Sequence, residues 1–293
     1  MLDLTVLIDK DGVMMIPLTV LIDNNAAFLD KELLTEHGLS FYFKVDGLAC
    51  LYDLGASDKW LNNANKLGIH AEEVDHLILS HGHKDHTGGL STFLQVNKSA
   101  KIFVSDKAFK YKYLTYRHEK PRDISSDSSL FAKYADRFVL LTEDCLLSPH
   151  VYLIHNRVFE HRLPVGNQFL RIVADGQEKP YIPNDEVALV IRIDDGIVIL
   201  SACSHSGVLN IIQSSVEITG CSKVLAFVGG THLVDTDMEE KDDVASIARV
   251  LADKYPEMCL YTGHCTGSAA VDVFSEVLQN RFALFHSGMQ LKF

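Results

Sequence analysis

The chain has no apolar run approaching the roughly 20 residues needed to cross a bilayer, so it does not read as a membrane protein. It also has no basic stretch ahead of its first apolar segment, "MLDLTVLIDK", and no cleavage-like end after it, so a secretory signal peptide is not expected. Six cysteines stand at 50, 145, 203, 221, 259 and 265 without CxxC spacing. That pattern argues against a disulfide framework and for reduced thiols in a cytoplasmic setting. Positive charge is in deficit, with 27 Lys and Arg against 39 Asp and Glu, a net charge of -12. Such a surface repels polyanions, which argues against nucleic acid or anionic membrane as partners unless a local basic patch offsets it. No Pro-, Gly- or Ser-rich linker divides the 293 residues, so one layered domain spanning 1–293 is expected.

What the chain does have is short apolar, β-branched runs alternating with helical patterns. "FYFKVDGLACLYDLG" (41–55) reads as a hairpin turning at Asp46-Gly47. "SDKWLNNANKLG" (57–68) reads as a helix with a Ser cap and a Gly stop. "VDHLILS" (74–80) and "KIFVSD" (101–106) are strands, as are "FLRIVADG", "VALVIRIDDG", "IVILSAC", "KVLAFVGG" and "MCLYTGHC", with a hairpin turn at Asp195-Gly196. Helices are expected at 205–220 and 238–256, the second with an acidic first turn that suits its dipole. "LTVLID" occurs at 4–9 and again at 18–23, either as two strands around an Asp11-Gly12 turn or as an N-terminal extension over residues 1–14. A two-copy repeat carries no architecture.

The strand at 74–80 runs into "SHGHKDHTGG", where three histidines and an aspartate fall between His81 and His86. His81 and His83, two apart, can point to one side, and Asp85 and His86 follow on the turn into a helix. Nitrogen and oxygen donors at ~2.0–2.2 Å suit Zn²⁺, and the same set tolerates Fe or Mn. Gly82, Gly88 and Gly89 let the backbone pass close to such a centre. A solvated polar loop is the plain reading for a lone histidine, and it is applied to His37, His70, His118 and His286. It does not account for this spacing directly after a buried strand.

"HGHKDH" resembles the HxHxDH motif of the metallo-β-lactamase fold superfamily, and the other motifs of that superfamily follow in order. "LYDLGAS" (51–57) resembles its strand-borne aspartate motif and "TGHCTG" (262–267) its last histidine motif. "CSHSGVLNI" (203–211) and "GGTHL" (229–233) are similar to the subgroup described as 7,8-dihydropterin-6-methyl-4-(β-D-ribofuranosyl)aminobenzene-5'-phosphate synthase-like. The resemblance runs from about Leu18 to the end of the chain. It implies an α/β (α+β) fold, a four-layer αββα sandwich with a metal site at one edge, and a dinuclear centre with a bridging water. Carried over motif by motif, it implies that Asp53 supports the ligands from behind and that His264 sits on the second metal. His81, His83 and His205 would hold one ion, and Asp85, His86 and His264 the other. The chain departs from the superfamily where a metal-bridging aspartate is expected: "GIVILSAC" ends in Cys203, with His205 two residues on. Cys203 reads as a small buried thiol rather than a thiolate ligand. His150, His155 and His161 are left in structural roles.

Asp85 and His232 are the candidate catalytic groups, His232 as a donor or general acid. Between Lys98 and Arg122 lie eight Lys and Arg but only two acids, interleaved with aromatics. This predicts a helical insertion or lid over 107–150, in which Lys110, Lys112 and Arg117 bind a small anionic or phosphorylated substrate. The function expected is a metal-dependent hydrolase using two divalent ions. A sensor without turnover and an ester or lactone hydrolase are the rivals, and fold alone does not separate them.

Overall fold

The computed structural model describes residues 7–8, 14–27, 32–117, 119–155, 158–194, 196–236 and 241–293. Two seven-stranded sheets pack face to face, with helices on both outer sides, which is the four-layer αββα sandwich expected. The first sheet runs in the order Phe138–Leu141, Lys101–Ser105, His76–Ile78, Leu48–Tyr52, Ser40–Val45, Pro17–Ile22, Gln290–Lys292. The second runs Cys145–Ser148, Val151–His155, Val187–Ile193, Gly196–Ser201, Val224–Gly229, Cys259–Thr262, Phe282–Leu284.

Strand periodicity builds the layers. Phe41, Phe43 and Val45 point between the sheets and meet Leu189, Ile191 and Val198 there, while Tyr42 and Leu51 face outward onto Trp60 and Phe93. Both faces are covered, so the central strands are apolar throughout rather than alternating. Gly196–Ser201 is buried at every position. On the far side Ile211, Ile212, Ala248, Leu251 and Phe274 come from helices Val208–Thr219, Lys241–Lys254 and Ser268–Leu278. Two hydrogen bonds tie the sheets together beside the histidine loop, Tyr52 Oη to Val187 O at 2.7 Å and Val187 N to Ser80 O at 2.7 Å.

In both sheets the parallel strands point the same way. Leu48–Tyr52 and His76–Ile78 in one, and Gly196–Ser201, Val224–Gly229 and Cys259–Thr262 in the other, end at a common edge. In open α/β sheets ligand sites lie outside the carboxyl ends of such strands.

Local expectations differ from the structure in four places. The helix at Lys59–Lys66 starts after Asp58, with Ser57 Oγ accepting from Lys59 N at 3.3 Å. The second "LTVLID" copy is an edge-region strand of the first sheet, whereas Leu7–Ile8 pairs with Met14–Met15; the Asp11-Gly12 turn lies outside the described residues. Ile193 pairs with Gly196, so the second hairpin turns one residue earlier than expected, at Asp194 and position 195, the latter outside the described residues. Segment 107–150 is not helical. Among its described residues are one six-residue α-helix, Ser128–Lys133, a single 3-10 turn at Ala135–Arg137, and short strands. Lys112–Thr115 and Arg122–Asp123 join Leu170–Ala174 and Gln177–Pro180 in a separate four-stranded sheet. The reason is a period of two: Tyr113 and Thr115 are buried while Lys112 is exposed, a pattern a helix would not produce.

Candidate metal centre

Five strand ends supply the site. The loop after His76–Ile78 brings His81, His83, Asp85 and His86; the turn after Gly196–Ser201 brings Cys203 and His205; His232 and His264 follow the next two strands. Asp53, Ser204, His232 and His264 adopt positive φ (61°, 61°, 52° and 50°), so every one of these strands but His76–Ile78 ends in a left-handed residue. Non-glycine residues in that region cost of order 1–3 kcal/mol each and cluster at functional sites. The glycine between His81 and His83 is required for a different reason: a Cβ on Gly82 would lie 2.2 Å from Ala108 O and 2.6 Å from the Tyr113 ring.

Two groups of donor atoms result. In the first, His81 Nε2 lies 3.0 Å from His83 Nδ1 and 3.3 Å from His205 Nε2. In the second, His86 Nε2 and His264 Nε2 are 3.1 Å apart, Asp85 Oδ2 lies 3.3 and 3.4 Å from them, and Cys203 Sγ 3.2 and 3.3 Å. The histidines and Cys203 are buried, and Asp85 is partly open to a cleft.

The outer nitrogens fix which way the lone pairs point. His86 Nδ1 donates to Asp53 Oδ2 at 2.7 Å, and His205 Nδ1 and His264 Nδ1 face the carbonyl oxygens of Asn167 and Asn24 at 3.2 and 3.3 Å. Asp53 also accepts from Ser80 N and Ser80 Oγ, and Ser80 Oγ lies 2.8 Å from His81 Nδ1. With those partners, the Nε2 atoms of His81 and His205 turn acceptor lone pairs on one another. Facing lone pairs repel unless a cation lies between them. Bonds of ~2.0–2.1 Å at the tetrahedral angle put ligand atoms about 3.3 Å apart, so the donor spacings fit divalent ions of the zinc type in both groups. One fully buried carboxylate, Asp53, orients a histidine of each group.

Electrostatics agree with this division. Burial holds His81 and His205 well below the ordinary imidazole range and His83 down to about 4, so these rings are neutral and ligand-ready. Burial works against charge on His86 too, but Asp85 and Asp53 outweigh it and hold the ring up to about 10. Burial also opposes ionisation of Asp85, yet His86 and His264 keep its carboxyl well below the usual range. Glu186, whose oxygens take His205 N and Ser206 N at 2.7 and 2.8 Å, is raised by burial to about 7.

The sequence-predicted residues divide as follows. His81, His83 and His205 come together, as do Asp85, His86 and His264, with Asp53 behind them. His232 lies beside them, its ring 4.1 Å from that of His205, and its Nε2 takes Arg117 Nη2 at 3.1 Å. Cys203, read as a packing thiol, converges on the second group instead, because the strand ends one residue before the turn and delivers its sulfur where an aspartate was expected. His37, assigned to a solvated loop, stacks on His264 at 5.0 Å and approaches Asp85 Oδ2 at 3.5 Å. No motif marks it, and only the Asn24 contact at 3.1 Å ties it to a strand end. His118 lies outside the described residues. His150 instead bonds Asp46 and His155 bonds Ser105, and neither joins a donor group.

A cleft of about 630 Å³ opens over both groups, and its cations are Lys84, Arg117 and Arg122. Lys110 and Lys112 do not line it: Lys112 pairs with Asp123, which does, and Lys110 lies over the Tyr111 ring. Arg122 stands opposite Thr115, and Thr115 opposite Leu170, and all three line the cleft.

Comparison with known proteins agrees with this fold. Residues 35–171 match the metallo-beta-lactamase superfamily. The chain is 31% identical over 279 residues, 88% of its own length and 90% of the relative's, to the 7,8-dihydropterin-6-methyl-4-(beta-D-ribofuranosyl)-aminobenzene-5'-phosphate synthase of Methanocaldococcus jannaschii. Among solved structures it is similar to a metal-dependent hydrolase of the beta-lactamase superfamily, with TM-score 0.78 and 24% identity, covering 94% of this chain and 98% of the other. A diphosphatase from the PhnP family aligns with TM-score 0.51 and 15% identity over 96% of this chain and 98% of its own.

Proposed function

Because the chain belongs to the metallo-beta-lactamase superfamily, we propose that it is a metal-dependent hydrolase with a dinuclear site, acting on a small anionic, phosphorylated substrate in the cytoplasm. The observation that carries the reading is the donor spacing of 3.0 to 3.4 Å in two adjacent groups. His81, His83 and His205 would hold one divalent ion; Asp85, His86, His264 and Cys203 would hold the second, with zinc favoured and iron or manganese served by the same nitrogen and oxygen donors. Such ions, when bound, lower the pKa of a coordinated water to about 7 and polarise the oxygen under attack.

The remaining work belongs to the chain. Asp53 fixes the tautomers of His86 and, through Ser80, of His81. Asp85 stays ionised against its burial and is the carboxylate open to the cleft, where it orients the attacking water. His232 accepts from Arg117 and thereby aims that guanidinium over the site. Arg117, Arg122 and Lys84 give an otherwise acidic protein a local attraction for phosphate.

A second reading, a synthase acting on a ribofuranosyl 5'-phosphate of an aromatic amine, is favoured by the 31% identity across most of the chain. Both readings share a phosphorylated substrate and the same metal donors. The test is a screen of phosphoesters, lactones and ribosyl phosphates against the metal-loaded chain and its His86→Ala variant. Turnover of a phosphoester that disappears with His86 supports hydrolysis. Condensation without hydrolysis supports the second reading, and metal binding without any turnover defeats both.

A further inference from the structure

Beside the two groups lies a third arrangement. Cys203 Sγ, Cys265 Sγ and a His232 ring nitrogen all lie within 4.8 Å of one another. The three residues are 3%, 8% and 3% exposed. His232 Nε2 is taken by Arg117, so the neutral ring carries its proton on Nδ1, and among the described residues that buried atom has no partner within hydrogen-bond distance, with Cys265 the side chain it faces. Cys265 Sγ sits 3.4 Å from Cys203 O, in a space that exists because residue 230 is glycine: a Cβ there would lie 2.5 Å from the sulfur. Gly166 does the same for His232, where a Cβ would meet its ring at 2.9 Å. The donors are therefore held by close backbone packing, and all three line the cleft.

We propose that Cys203, Cys265 and His232 form a separate site for a thiophilic d¹⁰ ion such as Cu⁺, Cd²⁺ or Zn²⁺, sharing Cys203 with the Asp85–His86–His264 group. Two thiolates and an imidazole select soft ions, whereas the carboxylate and histidine set serves harder ones. The ion replaces the two thiol protons, which pass to solvent, while the His232 proton moves from Nδ1 to Nε2, so that Nδ1 offers its lone pair and the Arg117 contact is released; the remaining position opens onto the cleft. Because Cys203 faces both sets, an ion on the sulfur site draws that thiolate away from the hydrolytic centre or bridges to it. Either outcome makes the site sensitive to thiophilic metals.

The experiment loads the full chain with Mn²⁺, titrates it with Cd²⁺, and follows the thiolate-to-cadmium charge-transfer absorbance, with ¹¹³Cd NMR of the unmodified chain counting coordinated sulfurs. A cadmium resonance in the two-sulfur range, and an absorbance that falls by about half in Cys265→Ser and in Cys203→Ser, are expected from one thiolate lost of two. The Cys203→Ser/Cys265→Ser double variant sets the background from the other four cysteines. His86→Ala, which dismantles the neighbouring set, should leave the band intact. A one-sulfur resonance, or a band lost with His86 and indifferent to Cys265, overturns the proposal, since cadmium would then occupy only the Asp85–His86–His264–Cys203 group. Absence of hydrolysis would not touch this result, because the readout is spectroscopic.

Discussion

The two halves of the sandwich furnish the same edge in different ways. The first half spends one loop on it: four donors in six residues, His81 to His86, on a single strand end. The second half spends three strand ends, each contributing one or two groups through a left-handed residue, Ser204, His232 or His264. A contiguous loop brings its donors together by its own turn and Gly82, and bonds such as Gly82 N to Asp185 and Lys84 N to Ile124 O hold it in place. Dispersed donors need the sheet register, the strained strand ends and long-range partners such as Asp23, Asn24, Asn167 and Glu186. The lesson is that one half encodes its chemistry locally and the other through the fold.

The largest expected effect breaks each half in turn. His83→Ala and His86→Ala should each cost one of two metal equivalents by elemental analysis, and turnover should fall to background. His205→Ala should cost the same as His83→Ala despite coming from the other sheet, while His155→Ala, whose ring bonds Ser105, should cost nothing. A chain that binds a single equivalent at saturation would remove the comparison altogether.

Asp53→Asn sharpens it, because this one carboxylate orients His86 directly and His81 through Ser80. A loss of ~10–100-fold in metal affinity is expected at both groups at once. Titrations that weaken only the His86 group would mean that Ser80 does not relay the effect.

How much of this was legible in the sequence follows the same division. The histidine loop announced itself by spacing and a layered α/β chain by its apolar runs, while the αββα sandwich came from the family resemblance. His205 and His264 were reached through resemblance of short motifs, not periodicity, since nothing local says which strand ends meet. A buried cysteine in sequence looks the same whether it packs or converges on imidazoles, and Cys203 is both buried and 3.2 to 3.3 Å from the Nε2 atoms of His86 and His264. His37 was missed because its role depends on a loop crossing the edge of the other sheet. Between Lys98 and Arg122 the cations were noticed but read on a helix; the segment forms short strands instead, and Arg117 and Arg122 line the cleft while Lys110 and Lys112 do not.

The accessory sheet therefore offers a smaller test. Arg117→Gln with Arg122→Gln should raise KM for a phosphoester at unchanged kcat, the signature of lost uniform binding. The effect should shrink as salt brings the Debye length below ~8–10 Å. Lys110→Gln with Lys112→Gln should leave both constants alone. Equal effects of the two pairs would return this segment to a diffuse basic patch.

The smallest effect concerns how the second half is tied together. The helix Ser268–Leu278 begins just after the His264 turn and has no cap of its own. Its first amides are taken instead by Asp235, three residues past His232: Oδ1 accepts from Ala269 N at 3.0 Å, and Oδ2 from Ser268 N at 2.8 Å and Ser268 Oγ at 2.9 Å. One carboxylate thus links the turns that carry His232 and His264. Asp235→Ala should cost about 1 kcal/mol, as removal of a helix cap does. The Ala269 and Ser268 amides hold the Asp235 carboxyl below its usual 3.8. A depressed folded pKa gives stability that is present above the unfolded value and lost as pH falls through the folded one. Asp235 is exposed, so solvent screening trims the charge contribution and leaves the cap as the larger share. Urea unfolding of the two chains should differ at about pH 7 and converge toward about pH 3 or below, where the carboxyl protonates. A difference that persists undiminished in acid would assign the link to the shape of the Leu233–Gly267 contact, where Gly267 N donates to Leu233 O at 2.8 Å, rather than to the carboxylate.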